Sequence, residues 1–131
     1  FPLIGSFFPE SYTSEPRLRI EAYRKLAQMR EEIEIDGFLE ELKDRFGTPP
    51  DEVFALTQET RIRCLTEEAG FDMIEVRKNE IYCRMIQRGK DGTKHYHRKA
   101  GQIPKLSSKE PLLKLNEIIR FLRIVHHGNK N

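Results

Sequence analysis

The sequence predicts an α+β fold in which three helices come first, a small antiparallel sheet follows, and a last helix closes the chain. Apolar residues recur at intervals of three or four up to Ala69 and again after Pro111, which is the period of an amphipathic helix. Between Ile74 and Met85 apolar and polar residues alternate, which is the period of a half-buried strand. With 131 residues the chain has the length of one ordinary domain, so we predict a single domain over residues 1–131.

The first helix is predicted to run from about Glu15 to Glu32. Thr13 and Ser14 offer a hydroxyl cap, and Pro16 suits a first helical turn because its ring fixes φ near the helical value. The residues at helical spacing that we expect on its buried side are Leu18, Ala22, Leu26 and Met29.

Glycine and proline mark the limits of the next two helices. Asp36 is expected to cap the second helix, and Gly47 is expected to follow its last apolar residue with the positive φ that glycine tolerates. Pro50 suits the first position of the third helix, where its missing N–H costs nothing, and Gly70 ends that helix. The apolar stripe of the second helix is predicted to be Phe38, Leu39, Leu42 and Phe46.

The sheet is predicted to be a hairpin with a tight turn at Lys78 and Asn79, because Asn tolerates positive φ. Residues 89–92 are a second turn signal, and residues 93–99 are expected to form a basic third strand at the edge of the sheet. A last helix follows, and residues 126–131 are expected to be a polar, frayed tail.

Charge is unevenly distributed along the chain, although the net charge is only +2. Residues 1–70 contain 9 Lys and Arg against 15 Asp and Glu, whereas residues 71–131 contain 14 against 6. Such a dipolar distribution can steer an electrically complementary partner, but it does not determine the fold.

Motifs for catalysis or metal binding are missing from the sequence. It has no GxxxxGK[ST] loop and no CxxC pair, and we expect Cys64 and Cys83 to be buried core residues. The histidines have no cysteine or carboxylate at ligand spacing, and we interpret them as solvated: His95, His97, His126 and His127. We therefore expect this fragment to be no enzyme and to bind no cofactor or metal. The absence of a disulfide framework and of any membrane-length apolar run favours a reduced, cytoplasmic setting.

Two segments of the first half carry recognisable motifs. The first is Phe8-Pro9-Glu10-Ser11-Tyr12, followed by Arg17-Leu18 and Tyr23-Arg24-Lys25-Leu26-Ala27. The second is Glu41-Leu42-Lys43-Asp44-Arg45-Phe46-Gly47-Thr48-Pro49-Pro50-Asp51-Glu52-Val53. Together they resemble the C-terminal domain of the bacterial transcription-repair coupling factor family, from about Phe7 to Arg63. Thr13-Ser14 stand where that family usually has Ile-Pro, and from Phe71 onward only the order of strands and helix agrees.

The resemblance implies a place within a larger protein, which fits our expectation that a chain starting with Phe1 is a piece of something longer. The parent would be an ATP-driven DNA translocase that contacts RNA polymerase, DNA and UvrA in transcription-coupled nucleotide-excision repair. Its C-terminal domain would dock on the N-terminal UvrB-like module of the same protein and mask the UvrA-binding surface. The implied role is a non-catalytic, autoregulatory protein-interaction domain.

Two sets of candidate site residues follow. The motif residues are expected to be mainly structural, with docking, above all by Asp44 and Arg45, as the alternative: Pro9, Tyr12, Arg17, Tyr23, Asp44, Arg45, Phe46, Gly47 and Pro50. A basic cluster, in which Tyr82 and Tyr96 are interleaved, fits either a solvated edge strand or phosphate contacts in a nucleic-acid-binding module: Arg84, Arg88, Lys90, Lys94, Arg98 and Lys99.

Overall fold

The computed structural model describes residues 6–85 and 95–129. By their internal contacts these residues belong to two compact units, the N-terminal unit up to Cys64 and the C-terminal unit from Leu65 onward. The predicted fold class is confirmed, because the described residues form three helices, an antiparallel two-stranded sheet and a last helix in that order. The elements are α1 (Pro16–Gln28), α2 (Glu32–Phe46), α3 (Asp51–Glu68), β1 (Phe71–Arg77), β2 (Glu80–Met85) and α4 (Pro111–Asn129).

Helix α1 begins at the predicted proline but without the predicted hydroxyl cap. Its N-cap residue is Glu15, which makes no side-chain capping bond. Thr13 is 2% exposed instead of reaching the helix start. The prediction of a Thr13 or Ser14 cap is therefore wrong, and Pro16 alone sets the helical φ at this end.

The other end of α1 lies four residues before the predicted one, because Arg63 of α3 binds the last carbonyls. Its Nη2 donates to Leu26 O at 2.7 Å and to Met29 O at 3.0 Å, and its Nη1 donates to Ala27 O at 3.1 Å. Met29 is extended, with φ −68° and ψ 137°. Helix ends leave carbonyls without intrahelical partners, and a guanidinium satisfies several of them at once.

Helix α2 begins four residues before the predicted cap. Its N-cap is Glu31, and Asp36 lies inside the helix. Asp36 does not cap, because its carboxylate accepts from Nη2 of Arg61 at 2.8 Å. Nη1 of the same arginine donates to Glu32 at 2.9 Å, so Arg61, whose side chain is 11% exposed, joins α2 to α3 through two acids.

The core of the N-terminal unit contains most of the predicted apolar stripes of α1 and α2, but Leu18 is only half-buried and lies outside this cluster. Phe8 packs edge-on against Tyr23 and Phe38, with ring centroids 5.3 and 6.4 Å apart. The buried residues of this cluster are Phe8, Ala22, Leu26, Met29, Ile35, Phe38, Leu42, Val53 and Cys64. Leu39 and Phe46 are only partly buried against it, since they lie at its border.

The predicted hairpin of the C-terminal unit is confirmed. Lys78 and Asn79 both have positive φ, 47° and 64°, as a two-residue turn between twisted strands requires. A bulge between Phe71 and Met73 shifts the register by one residue, so Phe71 lies on the same face as Ile81. That face is buried, and the opposite face carries the charged residues and Tyr82.

The third strand is present only as isolated pairings in its described part. His95 O accepts from Met85 N at 2.7 Å and His97 N donates to Cys83 O at 2.8 Å, around a single bridge between Arg84 and Tyr96. The predicted turn at 89–92 and residues 93–94 lie outside the described residues. Further along, Ile81 N donates to Pro104 O at 2.9 Å. The edge of β2 that faces away from β1 is therefore hydrogen-bonded near both of its ends.

Helix α4 is longer than predicted. It continues to Asn129, so the interpretation of residues 126–129 as a frayed tail is wrong for their backbone. Before the helix, the loop is held by Glu117, whose carboxylate accepts bonds from Ser107 and Ser108 at 2.6–3.1 Å. In the part of the chain that is described, no helix is both long and apolar enough to cross a membrane.

His97 is not a solvated histidine, contrary to the prediction. Its ring lies between Phe71 and Phe121, with centroids 5.8 and 5.7 Å away. Burial among these rings lowers the pKa of His97. His95, two residues earlier, is exposed.

Candidate functional site

The two motifs, which lie about thirty residues apart in sequence, meet at the end of α2 through Tyr12. The Tyr12 hydroxyl donates to Gly47 O at 2.8 Å and lies 3.3 Å from Leu42 O. Its ring packs against Phe46 with centroids 5.6 Å apart, and burial raises its pKa. Gly47 has φ 86° and ψ −171°, so the predicted positive φ is confirmed, although ψ lies outside the left-handed helical region. Tyr12, Phe46 and Gly47 therefore form one structural lock.

Three further motif residues also have internal roles. Pro9 O accepts from the amides of Tyr12 and Thr13, both at 3.0 Å, and so forms the turn that brings Tyr12 to α2. The Tyr23 hydroxyl accepts from Phe8 N at 2.8 Å and fixes the extended segment on α1. Pro50 O accepts from Val53 N and Phe54 N at 3.1 and 3.0 Å, so Pro50 is the capping residue of α3 and not its predicted first helical residue.

The remaining motif residues face solvent. The guanidinium carbon of Arg45 lies 5.1 Å from the centroid of the Phe46 ring, and its Nη1 lies 3.7 Å from Oε1 of Glu41. Arg17 Nη2 lies 4.0 Å from a carboxylate oxygen of Glu15, and the Arg17 side chain is 79% exposed. Asp44 is exposed, and its carboxylate has no hydrogen-bond or ion-pair partner among residues 6–85 and 95–129. Asp44 is thus a motif residue for which the described structure provides no internal role.

A cavity of about 30 Å³ opens between α1 and α2, and we call it the α1–α2 notch. Its apolar lining is Phe8, Leu18, Ala22, Phe38, Leu42 and Phe46, and its charged lining is Glu21, Lys25, Glu41 and Arg45. Thr13 also lines it, and its buried Oγ1 has no hydrogen-bond partner in the described structure. A cavity of this size holds a water molecule or the end of one side chain.

The predicted basic cluster is only partly brought together. Arg84 Nε donates to Asp72 at 2.6 Å, and Arg98 Nη1 lies 3.4 Å from Gly101 O. Lys99 is tied by its backbone to Gln102, with N–O distances of 2.8 and 3.0 Å. The other three predicted members lie outside the described residues: Arg88, Lys90 and Lys94.

One member of this region was missed by the sequence analysis. Arg77 lies across the hairpin from Glu80, and its guanidinium carbon is 5.0 Å from the centroid of the Tyr82 ring. The Tyr82 and Tyr96 rings are in turn edge-to-face, with centroids 5.9 Å apart. The signal was available in the alternation of β1 and β2, because the predicted turn at Lys78 and Asn79 already places residues 77 and 80 opposite each other.

The described residues offer little support for catalysis by a cysteine thiol or by a bound metal ion. Within 6–85 and 95–129 no three His, Cys, Asp or Glu side chains form a group that could hold a metal ion. Both cysteines are buried, as predicted, and burial raises the pKa of Cys83 to about 12. A thiol with such a pKa remains protonated at neutral pH and is a poor nucleophile.

The comparisons with known proteins agree with the motifs. The sequence model of the TRCF domain matches residues 4–95. The chain belongs to the TRCF domain family. The resemblance drawn from the two motifs is thereby confirmed.

Relatives and solved structures extend this match. The transcription-repair-coupling factor of Rickettsia prowazekii is 37% identical over 72 residues, which cover 55% of this chain and 6% of the relative. That of Mycobacterium bovis is 33% identical over 67 residues, which cover 51% of this chain and 5% of the relative. The crystal structure of a transcription-repair coupling factor C-terminal domain superposes with a TM-score of 0.72 at 20% identity, covering 95% of this chain and 91% of that one. At this identity the superposition shows a shared fold.

Proposed function

We propose that this TRCF domain is the autoregulatory docking domain of an ATP-dependent DNA translocase that acts in transcription-coupled nucleotide-excision repair. In this proposal it docks on the N-terminal UvrB-like module of the same cytoplasmic protein and masks the surface that binds UvrA. The domain itself catalyses nothing and needs no cofactor. The parent protein as a whole contacts RNA polymerase, DNA and UvrA. The proposal is supported by family membership and by the exposed part of the second motif.

The observation that carries the proposal is the difference between Asp44 and its neighbours. Phe46 and Gly47 are explained by the lock with Tyr12, and Arg45 lies on the Phe46 ring beside Glu41. The Asp44 carboxylate has no such contact in the described structure and faces water. An exposed charged residue without an internal role, set in a rigid motif, is a good candidate for recognition by another surface.

The surroundings of Asp44 suggest the chemistry of the partner. Residues 1–70 carry an excess of six acidic groups, 15 against 9. Glu41 is shared between Lys25 at 3.9 Å and Arg45 at 3.7 Å, whereas the Asp44 carboxylate has no ion-pair partner among the described residues. A basic patch on the UvrB-like module would complement it, and we expect the α1–α2 notch, which is lined by Arg45, the next residue in sequence, to receive one side chain of that patch.

An intramolecular contact of this kind acts as a brake through a two-state equilibrium. In the docked state the UvrA surface is covered, and any ligand that favours the undocked state releases it. The contact can be weak between separate molecules, because the covalent connection supplies a high effective concentration. A moderate affinity between separate molecules is therefore compatible with strong masking within one chain.

The direct test is binding between this chain and the purified UvrB-like module of the same protein, measured by calorimetry at low salt. We expect binding in the micromolar range that weakens with salt, and a loss of about tenfold or more for Asp44→Lys. Glu68→Lys is the matched control, because it makes the same charge change at an exposed position of the other unit. No binding of the unmodified chain, or equal effects of the two variants, would contradict docking through the second motif. ATP hydrolysis by the isolated chain would contradict the non-catalytic role.

A further inference from the structure

The outer face of the hairpin gathers aromatic and basic side chains, and we call it the Tyr82–Tyr96 face. Antiparallel pairing places Tyr82 opposite Glu75 and Arg84 opposite Met73 on this face. The bridge between Arg84 and Tyr96 adds Tyr96 to the same side, and Arg98 follows two residues later. The full set is Arg77, Tyr82, Arg84, Tyr96 and Arg98, all within the C-terminal unit.

The two tyrosines on this face are not explained by core packing. The opposite face of the hairpin holds the buried side chains, of which Ile81 and Cys83 are 1% exposed. Tyr82 and Tyr96 are half-buried against each other on the solvent side, with their planes at 86°. The Arg77 guanidinium lies over the Tyr82 ring and extends the aromatic centre into a cation–π layer.

Local acids hold the arginines in place without using all of their donors. Glu75 accepts from Nε and Nη2 of Arg77, both at 2.8 Å, which leaves the remaining N–H groups of that arginine for another acceptor. The Asp72 carboxylate accepts one hydrogen bond from Nε of Arg84, at 2.6 Å. The arginines are thus oriented and still able to donate, as recognition of a phosphate oxygen requires.

The charge of this region favours an anionic partner. Residues 71–131 contain 14 Lys and Arg against 6 Asp and Glu. Three exposed lysines lie near this face. Lys78 and Lys99 follow Arg77 and Arg98 in sequence, and Lys105 pairs with Glu80 of β2. Charge alone would suit duplex DNA, but a duplex keeps its bases stacked and offers no base to an aromatic ring.

We propose that the Tyr82–Tyr96 face binds single-stranded nucleic acid, with bases stacked on its aromatic and guanidinium layer and phosphates held by its arginines. Exposed aromatic side chains on a sheet, flanked by basic residues, are what sequence-tolerant binding of single strands uses. The proposal concerns the C-terminal unit and is independent of docking through the second motif.

The experiment is fluorescence anisotropy of the whole chain with three labelled probes of equal length: an oligo-dT strand, an oligo-U strand and a mixed-sequence duplex. We expect the single strands to bind more tightly than the duplex at low salt. Tyr82→Ala and Tyr96→Ala are each expected to weaken single-strand binding by about tenfold, since one stacking contact is lost. Tyr82→Phe and Tyr96→Phe keep the rings and are expected to bind within about twofold of the unmodified chain.

Control variants separate this mechanism from simple charge attraction. Arg98→Gln removes one charge on the face and is expected to reduce the salt dependence, whereas Lys109→Gln removes one charge at an exposed position before α4 and is expected to have little effect. Circular dichroism verifies that the Ala variants remain folded, and the Phe variants provide the comparison if they do not.

Three outcomes would overturn the proposal. The first is no anisotropy change for either single strand at about 100 µM protein and low salt. The second is duplex binding as tight as single-strand binding and insensitive to the Tyr→Ala changes. The third is equal competition by an acidic peptide such as poly-glutamate, which would identify a general polyanion surface.

Discussion

The arginines of the two units do different work. In the N-terminal unit three of them turn inward: Arg63 binds three carbonyls at the end of α1, Arg61 binds two acids of α2, and Arg19 binds Thr13 O at 2.7 Å. In the C-terminal unit Arg77, Arg84 and Arg98 lie on the outer face of the hairpin. The first unit uses these three arginines for structure and carries more acids than bases, while the second keeps arginines on an outer face.

This difference teaches how one chain can offer two electrically opposite surfaces. An arginine that is buried against carbonyls or acids keeps its charge, but it cannot donate to an external anion without breaking those hydrogen bonds. The N-terminal unit therefore presents acids such as Asp44 to a basic partner. The C-terminal unit presents guanidinium groups to an anionic one. The following predictions test this division, starting with the largest expected effect.

Replacing Arg63 by alanine is expected to have the largest effect on stability. The change removes three hydrogen bonds from a charged donor and leaves the carbonyls of Leu26, Ala27 and Met29 without these bonds. We expect a loss of about 3 kcal/mol in the free energy of unfolding, measured by urea titration. Arg17→Ala is the matched control, because the Arg17 side chain is 79% exposed and its ion pair with Glu15 spans 4.0 Å, and it is expected to change stability by less than about 0.5 kcal/mol. Equal effects of the two changes would contradict the structural role of the inward arginines.

The next prediction concerns the backbone at the second motif. Gly47→Ala places a Cβ on a residue with φ 86° and ψ −171°, a conformation that residues with a side chain rarely adopt. Apart from the two chain neighbours, no described residue has an atom within 4 Å of the added Cβ, so the cost is backbone strain and not a clash. We expect a loss of about 2 kcal/mol in the same titration. An unchanged midpoint would show that the chain adopts another turn here without cost.

Tyr12→Phe tests the lock between the two motifs without disturbing the ring packing. It removes the hydroxyl that donates to Gly47 O and approaches Leu42 O. We expect a loss of about 1 kcal/mol in the urea titration. Tyr82→Phe is the counterpart in the C-terminal unit, where the hydroxyl is 3.2 Å from Glu80 on the outer face, and it is expected to be close to neutral. A larger effect at Tyr82 than at Tyr12 would reverse the comparison between the units.

The sequence predicted these two units unequally, for physical reasons. Gly47, Gly70 and the turn at Lys78 and Asn79 were predictable because positive φ restricts the residue type locally. The start of α2 and the end of α1 were not, since Arg61 and Arg63 of α3 set them from more than twenty residues away in sequence. Local rules contain no information about such distant partners.

The candidate sites show the same limit. The motifs identified Tyr12 and Gly47 as important, but only the fold shows that one hydroxyl joins them. Asp44 became the leading docking residue because the structure explains its neighbours and leaves its carboxylate without a described partner. On the hairpin, the sequence pointed to the basic cluster, and the structure added Arg77 by placing its guanidinium over Tyr82.

The smallest expected effect is a pH dependence confined to the C-terminal unit. Burial between Phe71 and Phe121 lowers the pKa of His97 below its ordinary value of 6.5, so the folded state favours the neutral ring more than the unfolded state does. The stability from this burial is fully present above pH 6.5 and is lost as the pH falls from there towards the lowered pKa, because the unfolded chain then binds the proton more readily.

His97→Phe keeps an aromatic ring between the two phenylalanines and removes this titration. Urea midpoints at a series of pH values between about 7 and 5 should therefore decline less in the variant than in the unmodified chain. Exposed His95 provides the control, since His95→Gln is expected to leave the decline unchanged. Parallel pH profiles for the unmodified chain and His97→Phe would mean that the decline arises elsewhere. Glu117 is separable from His97 by its pH range: burial raises its pKa, but the hydrogen bonds from Ser107 and Ser108 outweigh this and lower it, so that its contribution is lost only at more acidic pH.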